Sequence, residues 1–332
     1  MSAWIAGMGW VTPLGTGLAE VCERVQRGET AERKSIVNPE TGREMWCAPV
    51  PPKLVEHLGR HPRLRRSSPI SYFAVAAALA ALDDAGLDAN AARTAIVFAT
   101  SDGSVLYTRR FYEQVVKQGA NAASPLLFPE TVYNAPASHL AALLGIDGAS
   151  YTLVGDATVG FRALKMAEQL LDMDAADRCV VVGCEELDWV LCQAYRDWRL
   201  GALLAEGAAA LVLAREGRCE LRSIHDGVPF FRRKEAAPAI KRAVREVGGA
   251  SAEMVVSCGN GTFIDAAEAT ALNAVCAKTP RHFPKQSLGE APGASALMQV
   301  VYAAQTLAST ALVPVLGFNH QASAALLTRA AR

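Results

Sequence analysis

The chain has 332 residues, 51% of them hydrophobic and 20% charged; that is enough apolar surface to offset the entropy of ordering, and it excludes both a disordered tail and a small stapled fold. Its 33 lysines and arginines balance 33 aspartates and glutamates, which removes the basic footprint of a nucleic-acid binder. A chain this long predicts two cores or one duplicated core.

The opening Met1-Ser2-Ala3-Trp4-Ile5 lacks a basic stretch followed by an apolar one, so no secretory leader is expected and the cytoplasm is the default location. Further on, the basic run from Arg60 to Arg66 falls in a Pro-containing linker and reads as a solvated loop or as a dock for an acidic partner. The uncharged stretch from Ser67 to Leu82 stops at Asp83 and Asp84, too short for a bilayer, so no membrane span is expected. It predicts a core helix with Ser68 as N-cap, Pro69 in the first turn and Gly86 just past the end.

Ala95 to Ala99 reads as a strand, Phe161 to Met173 as a helix and Cys179 to Val182 as a strand again. That alternation indicates α/β layers. The order strand, helix opening near a glycine, strand, Ala-rich strand also occurs twice. The first copy takes in Ala95–Ser101, Gly160–Leu171, Val180–Gly183 and Ala208–Leu213; the second takes in Met254–Ser257, Gly293–Leu307, Leu312–Gly317 and Ser323–Leu327.

Eight cysteines form no C-x-x-C pair and interleave with no histidine spacing, so neither a zinc site nor a disulfide framework is expected and most read as small buried hydrophobes. No glycine-rich phosphate loop or dinucleotide fingerprint follows a strand, and no cofactor is predicted. Of the histidines, His139 sits in an Ala/Leu helix, and His225 and His282 read as loop residues. Trp189 and Trp198 flank an amphipathic stretch and read as packing or partner-contact residues.

The run Ile5-Ala6-Gly7-Met8-Gly9-Trp10-Val11-Thr12-Pro13-Leu14-Gly15 resembles the first strand and turn of the β-ketoacyl synthases, the condensing enzymes of fatty-acid and polyketide assembly. Further segments match in order: Phe128-Pro129 with Asn134-Ala135, Val180 to Gly183 with Glu185, Ala205 to Ala208, Gly261-Thr262 with Asp265 and Glu268, and Lys285 with Gly289 and Gly293. The resemblance implies a thiolase-like αβαβα sandwich of two duplicated halves, divided at 1–215 and 216–332, the second half shortened. It also implies an acyl-transfer setting in which a helix-capping cysteine takes acyl groups from a carrier thioester and two histidines stabilise the enolate formed from a malonyl group.

At the matching positions stand Ala157, Asn260 and Glu290. A methyl group cannot carry an acyl chain, and an ionised Glu290 would oppose an oxyanion, so no catalytic residue of the usual set is expected. The resemblance makes Asp265, Glu268 and Lys285 structural loop residues. It makes Phe111, Tyr112, Asp156, Thr158, Phe318 and His320 candidates for a tunnel or pocket, with Asp156 also readable as a plain helix cap. The loop Gly317-Phe318-Asn319-His320-Gln321 departs from the family's glycine-rich gate.

The resemblance therefore implies a chain-length-factor-like subunit: a partner of an active ketosynthase in a heterodimer that shares an acyl tunnel and receives an acyl carrier protein. Two alternatives stay open. One is an acyltransferase, decarboxylase or thioesterase-like enzyme using Cys258, His320, Asp156 or Glu290; the other is an acyl-binding scaffold that forms a homodimer.

Overall fold

Apolar runs buried on both faces become the central strands, and Ala/Leu-rich stretches become the helices that cover them. The computed structural model describes residues 3–90 and 92–330; Met1 and Ser2, which the leader reading uses, lie outside them. The first part of the chain runs β1 (Ala3–Val11), α1 (Leu18–Gln26), β2 (Lys34–Val37), β3 (Glu44–Ala48), α2 (Pro69–Ala85), β4 (Thr94–Thr100) and α3 (Val105–Gln118). It continues with α4 (Ala135–Leu144), β5 (Ser150–Val154), α5 (Val159–Asp172), β6 (Arg178–Glu185), α6 (Trp189–Asp197), β7 (Leu204–Ala205) and β8 (Gly207–Ala214). The remainder comprises β9 (Cys219–Ile224), β10 (Val228–Pro229), α7 (Ala236–Glu246), β11 (Met254–Val256), α8 (Phe263–Asn273), β12 (Arg281–His282), α9 (Pro284–Leu288), α10 (Ser295–Thr306), β13 (Thr310–Leu316) and β14 (Gln321–Arg329).

The main sheet runs β12-β11-β13-β14-β9-β1-β8-β6-β4-β5. On one side β4 is parallel to β5 and β6, and β6 is antiparallel to β8. On the other, β11 is parallel to β12 and β13, and β13 is antiparallel to β14. The repeated order read in the sequence thus corresponds to a repeated pairing pattern, with β9 joining the two half-sheets by pairing with both β1 and β14.

Five layers result. Phe73 of α2 and Leu140 of α4 pack with Val180, Val182 and Ala210 on the outer face of the first half-sheet. Its inner face, with Val181 and Leu211, meets Phe161 and Leu164 of α5, Leu297 and Val301 of α10, and Val313 of the second half-sheet. On the far side, Leu312 and Leu326 pack with Ile240 and Val244 of α7 and Ile264 and Leu272 of α8. The sequence is α/β/α/β/α, and α5 and α10 are the central helices. At one crossing α2 lies so close to β1 that a Cβ on Gly9 would come within 2.3 Å of the Ala77 carbonyl oxygen, so only glycine fits there.

Helix α2 begins and ends where its punctuation predicts, with one correction to the cap. The Ser68 hydroxyl donates to Glu186, 2.7 Å from Oε2, and the same Glu186 oxygen accepts the Ile70 N–H at 2.9 Å. Glu186 also accepts the Leu106 N–H at the start of α3 at 2.9 Å, so one buried carboxylate caps two helices that a serine cap would have left separate. His282, read as a loop residue, lies in β12, with Nδ1 2.9 Å from the Tyr302 hydroxyl.

A small second sheet, β2-β3-β7, sits beside α6. Glu206, which follows it, accepts the Val50 and Leu187 N–H groups at 3.0 and 3.1 Å. Among the described residues no helix is long and apolar enough to cross a membrane.

Burial pushes the carboxyls of Glu186 and Glu206 up to about 7 from 4.5. Both are raised in the folded state, so the stability linked to their protonation is fully present below about pH 4.5 and is lost as pH rises through about 7. Unfolding free energy is therefore expected to rise on going from pH 8 to 6.5, by on the order of 1 kcal/mol per group. Thermal melts across that window check this; a melting temperature that stays flat or falls on acidification contradicts it.

Candidate functional site

The carboxyl ends of β4, β5 and β13 bring three loops to one place, as parallel strands in open α/β sheets do. They enclose a cavity of about 320 Å³ lined by Asp102 after β4, Asp156 and Ala157 after β5, and Phe318 and Asn319 after β13. Tyr195 and Trp198 from the end of α6 and Glu290 from the loop before α10 complete it. Ala157 is buried, two residues before the first residue of α5. The place at the helix end that could carry a nucleophile holds a methyl group.

Asp156 is held from two sides. Its Oδ1 accepts the Thr158 N–H at 3.1 Å and the Thr158 hydroxyl at 2.9 Å, and the Asn319 amide nitrogen donates to both carboxylate oxygens. The N-cap of α5 is Thr158, and it makes no side-chain cap bond; Asp156 instead closes the turn just ahead of the helix, which corrects its reading as a helix cap. Burial raises its pKa, the Thr158 and Asn319 donors lower it, and Glu290 raises it further. Gly317 lies against the same carboxylate, so Asp156 ties the Gly317–Gln321 loop to the start of α5. A larger cavity of about 570 Å³ opens on the far side of Asp156, lined by Thr158, Arg162, Lys165 and Gln321.

Glu290 is not the lone anion that the sequence reading allows. Lys285 Nζ lies 3.0 and 2.8 Å from its two carboxylate oxygens, and the Asn260 amide donates to Oε2 at 2.8 Å. Asn260 is itself held by the Thr262 hydroxyl, which donates to its Oδ1 at 2.6 Å. The charge is compensated behind the cavity wall. Asp265 accepts the Asn260 and Gly261 N–H groups at 2.8 and 3.1 Å; Glu268 accepts the Cys258 N–H at 2.8 Å and the Ser257 hydroxyl.

Asp102 was not singled out by sequence. Its N–H donates to Glu185 Oε1 at 3.0 Å, while its own Oδ2 is buried without a partner. Burial pushes its carboxyl up to about 6. Burial and the Asp102 charge together raise Glu185 as well, although that group also accepts the Ser101 and Gly293 N–H groups at 2.8 and 2.9 Å. The signal for Asp102 is the Ser-Asp-Gly turn directly after a strand with a wholly apolar centre, Ala95–Ala99. Tyr195 and Asn319 carried no comparable signal: each reaches the cavity only through the packing of α6 and of the loop after β13.

Several sequence candidates lie elsewhere. His320, at φ 70°, stacks on Phe230 with ring centroids 5.0 Å apart and does not line the cavity. Its sequence neighbour Phe318 takes that place, edge-on to Tyr195 at 5.9 Å. Cys258 is fully buried, and burial raises its thiol well above the ordinary range, which removes it as a nucleophile. Phe111 and Tyr112 lie on α3, a helix with no buried residue; Phe111 packs on Phe128 at 5.7 Å and Tyr112 is 64% exposed. Both are away from this cavity in the single chain, and neither is buried in a core.

Comparison with known proteins gives the family. Residues 56–218 match the family model described as "Beta-ketoacyl synthase, N-terminal domain", and residues 221–319 match "Beta-ketoacyl synthase, C-terminal domain". Among curated relatives, the 3-oxoacyl-[acyl-carrier-protein] synthase 2 of Vibrio cholerae is 25% identical over 42% of this chain and 40% of its own length. That of Coxiella burnetii is 24% identical over 63% of this chain and 56% of its own length. The matched region thus spans about two fifths to just over half of the curated relatives.

Solved structures align over almost the whole chain. A β-ketoacyl synthase from Burkholderia phymatum has a TM-score of 0.87 at 17% identity, covering 99% of this chain and all of its own. The ishigamide ketosynthase/chain length factor has 0.85 at 19% identity, with all of both chains covered. A ketosynthase in complex with its chain length factor from Xenorhabdus doucetiae has 0.80 at 16% identity, covering 99% and 98%. These likenesses establish the fold, and the two consecutive family matches, which together take in well over half of the sequence, make the chain a member of the β-ketoacyl synthase family.

Proposed function

We propose that the chain is a non-condensing, chain-length-factor-like subunit that pairs with an active ketosynthase in type II fatty-acid or polyketide assembly. The observation that carries this reading is the Ala157 methyl group at the entrance to α5, with Asp156 and Asn319 filling the space beside it. Without a nucleophile there, no acyl chain can be held on the protein by a thioester.

The surface supports a partner. Val116, Leu126 and Phe128 are 80%, 61% and 57% exposed, and with Tyr112, Tyr133, Tyr151 and Val154 they fall in the segment from α3 to β5. Strand β5 ends the main sheet and is paired on one side only. Exposed apolar side chains in this number beside an open strand edge are costly in water and favour a permanent interface. Assemblies of a ketosynthase with a chain length factor stand among the similar structures, which favours an active ketosynthase as the subunit on that face. On this reading Phe111 and Tyr112 contribute to an acyl tunnel shared between subunits. Arg60, Arg63, Arg65 and Arg66 are exposed and offer a basic face to an acidic acyl carrier protein.

Size-exclusion chromatography and intact mass spectrometry test the proposal, on the protein alone and co-expressed with an intact ketosynthase, each incubated with an acyl carrier thioester. The expected result is a one-to-one complex in which only the partner gains acyl mass. A homodimer that gains acyl mass itself, or that leaves acyl groups unturned while refusing the ketosynthase, overturns it.

One observation favours an altered enzyme instead: the raised carboxyl of Asp102, one oxygen of which has no partner, belongs to the cavity wall, placed as a general acid or base. Release of free acid or carbon dioxide from a carrier thioester, lost in Asp102→Asn with the fold intact, would establish that reading.

A further inference from the structure

Six of the eight cysteines are dispersed through the three large cores: Cys22, Cys179 and Cys219 in the central one, Cys184 in the outer one, and Cys258 and Cys276 in the third. The other two meet. Cys47 on β3 and Cys192 on α6 are 145 positions apart in sequence but share one small cluster with Met45, Leu191, Tyr195 and Leu204. Their thiols are hydrogen-bonded, Cys192 donating to the Cys47 sulfur, while the Cys47 thiol also reaches the Lys34 carbonyl oxygen at 3.5 Å. They are not joined by a disulfide. Cys192 also lines an open cleft of about 430 Å³ that Trp46, Arg196 and Arg199 share.

We propose that Cys47 and Cys192 are a dithiol modification site that closes to a disulfide when a peroxide enters the cleft beside α6. The thiolate of one of the two attacks a peroxide oxygen; the O–O bond breaks, hydroxide leaves and takes up the proton that thiol released, and that cysteine carries a sulfenic acid. The sulfur of the other then attacks it, the S–O bond breaks, and water departs with the second thiol's proton. Two thiols lose two hydrogens and two electrons, and the peroxide is reduced to two waters. Burial raises the pKa of Cys22, Cys179, Cys184, Cys219, Cys258 and Cys276, whereas the bond between the two thiols works against burial at Cys47, so this pair, one member of which lines the cleft, is the one disposed to react.

The bond would act on the cavity wall. The last turn of α6 carries Tyr195, and Trp198 follows at its end; both line the central cavity. Strand β3 pairs with β7, and the Ala205 N–H donates to the Glu290 carbonyl oxygen at 2.8 Å. A disulfide between β3 and α6 therefore fixes the aromatic wall against the segment that holds Glu290. This holds whatever the cavity accommodates, so it stands apart from the proposed subunit role.

The test treats the reduced, folded full-length chain with hydrogen peroxide, blocks remaining thiols with N-ethylmaleimide and maps the peptides by mass. The expected product is one linked peptide pair containing Cys47 and Cys192, lighter by two hydrogens, with Cys184 and Cys258 still blocked by the reagent in the same digest. Dithiothreitol restores both free peptides and reverses a change in tryptophan fluorescence. In Cys192→Ser and in Cys47→Ser the linked pair is absent and the remaining cysteine of the two stops at its oxygenated forms. The proposal is overturned if another pair links first, if neither cysteine oxidises before the six others, or if the 47–192 link forms only after denaturation.

Discussion

Exchanging Lys285 for methionine is expected to lower the unfolding free energy by about 3–5 kcal/mol, the cost of leaving a buried charge without its partner. Lys285 and Glu290 side chains are each 3% exposed and lie 2.8 Å apart, so water cannot take over the role of the lost ammonium. Asn260 would remain as a donor to Glu290, but a neutral amide does not offset a full charge at this depth. The double variant Lys285→Met/Glu290→Met is expected to recover most of the loss, because a buried ion pair replaced by apolar side chains of similar volume is close to neutral. Urea unfolding of the wild type and the two variants decides it. A single-variant loss below about 1 kcal/mol would put the pair in the class of solvated surface bridges and remove it as the element that holds Glu290 in the cavity wall.

Nearly as large an effect is expected at Gly293. A Cβ there would stand 2.5 Å from Glu185 Oε2, 2.6 Å from Thr100 Cα and 2.7 Å from the Ser101 nitrogen, and two of those three atoms are backbone that cannot rotate away. Gly293→Ala must therefore push α10 off the end of β4 and break the Gly293 N–H to Glu185 bond. Overpacking and a lost buried hydrogen bond together predict a loss of about 3 kcal/mol, read as a lower melting temperature. The same displacement would shift the Ser101–Asp102 turn and expose the Asp102 carboxyl. An alanine variant that melts with the wild type would show that the central helix has room to slide, contrary to the packing described.

The sequence discloses best what depends on local pattern. Ser68, Pro69 and Gly86 bracket α2 because caps and breakers act within one turn, and Ala95–Ala99 and Cys179–Val182 mark β4 and β6 because strands buried on both faces are apolar throughout. The duplicated order could be read for the same reason. What stays hidden depends on distant chain. Strand β3 gains its sheet from β7, more than 150 positions later, so nothing in the run Glu44–Ala48 announces the small sheet or the meeting of Cys47 with Cys192. Ser68 looks like a cap until Glu186 takes over its role, and Glu290 looks like an isolated anion until Lys285 turns inward. His320 and Phe318 sit in one loop, yet a left-handed backbone at His320 turns its ring onto Phe230 and leaves Phe318 facing Tyr195. The local turn is readable; which ring it aims at the cavity is set by α6 and β10.

The strand that joins the two half-sheets has a consequence for how the protein is made. Strand β1 finds its antiparallel partner in β8 only about 200 residues after it leaves the ribosome, and β9 must wait a further hundred or so for β14. At ribosomal rates of about 5–20 residues per second, the first strand emerges roughly ten to forty seconds before anything exists for it to pair with. Helix α2 emerges sooner and covers one face of it, but its edges and its other face, with Trp10, wait for that time, and pairings this distant in sequence close slowly even once the chain is complete. Yield in the cell should accordingly depend on holdase chaperones, and fall as translation of the first two hundred codons is slowed, far more than it depends on the stability of the finished sheet.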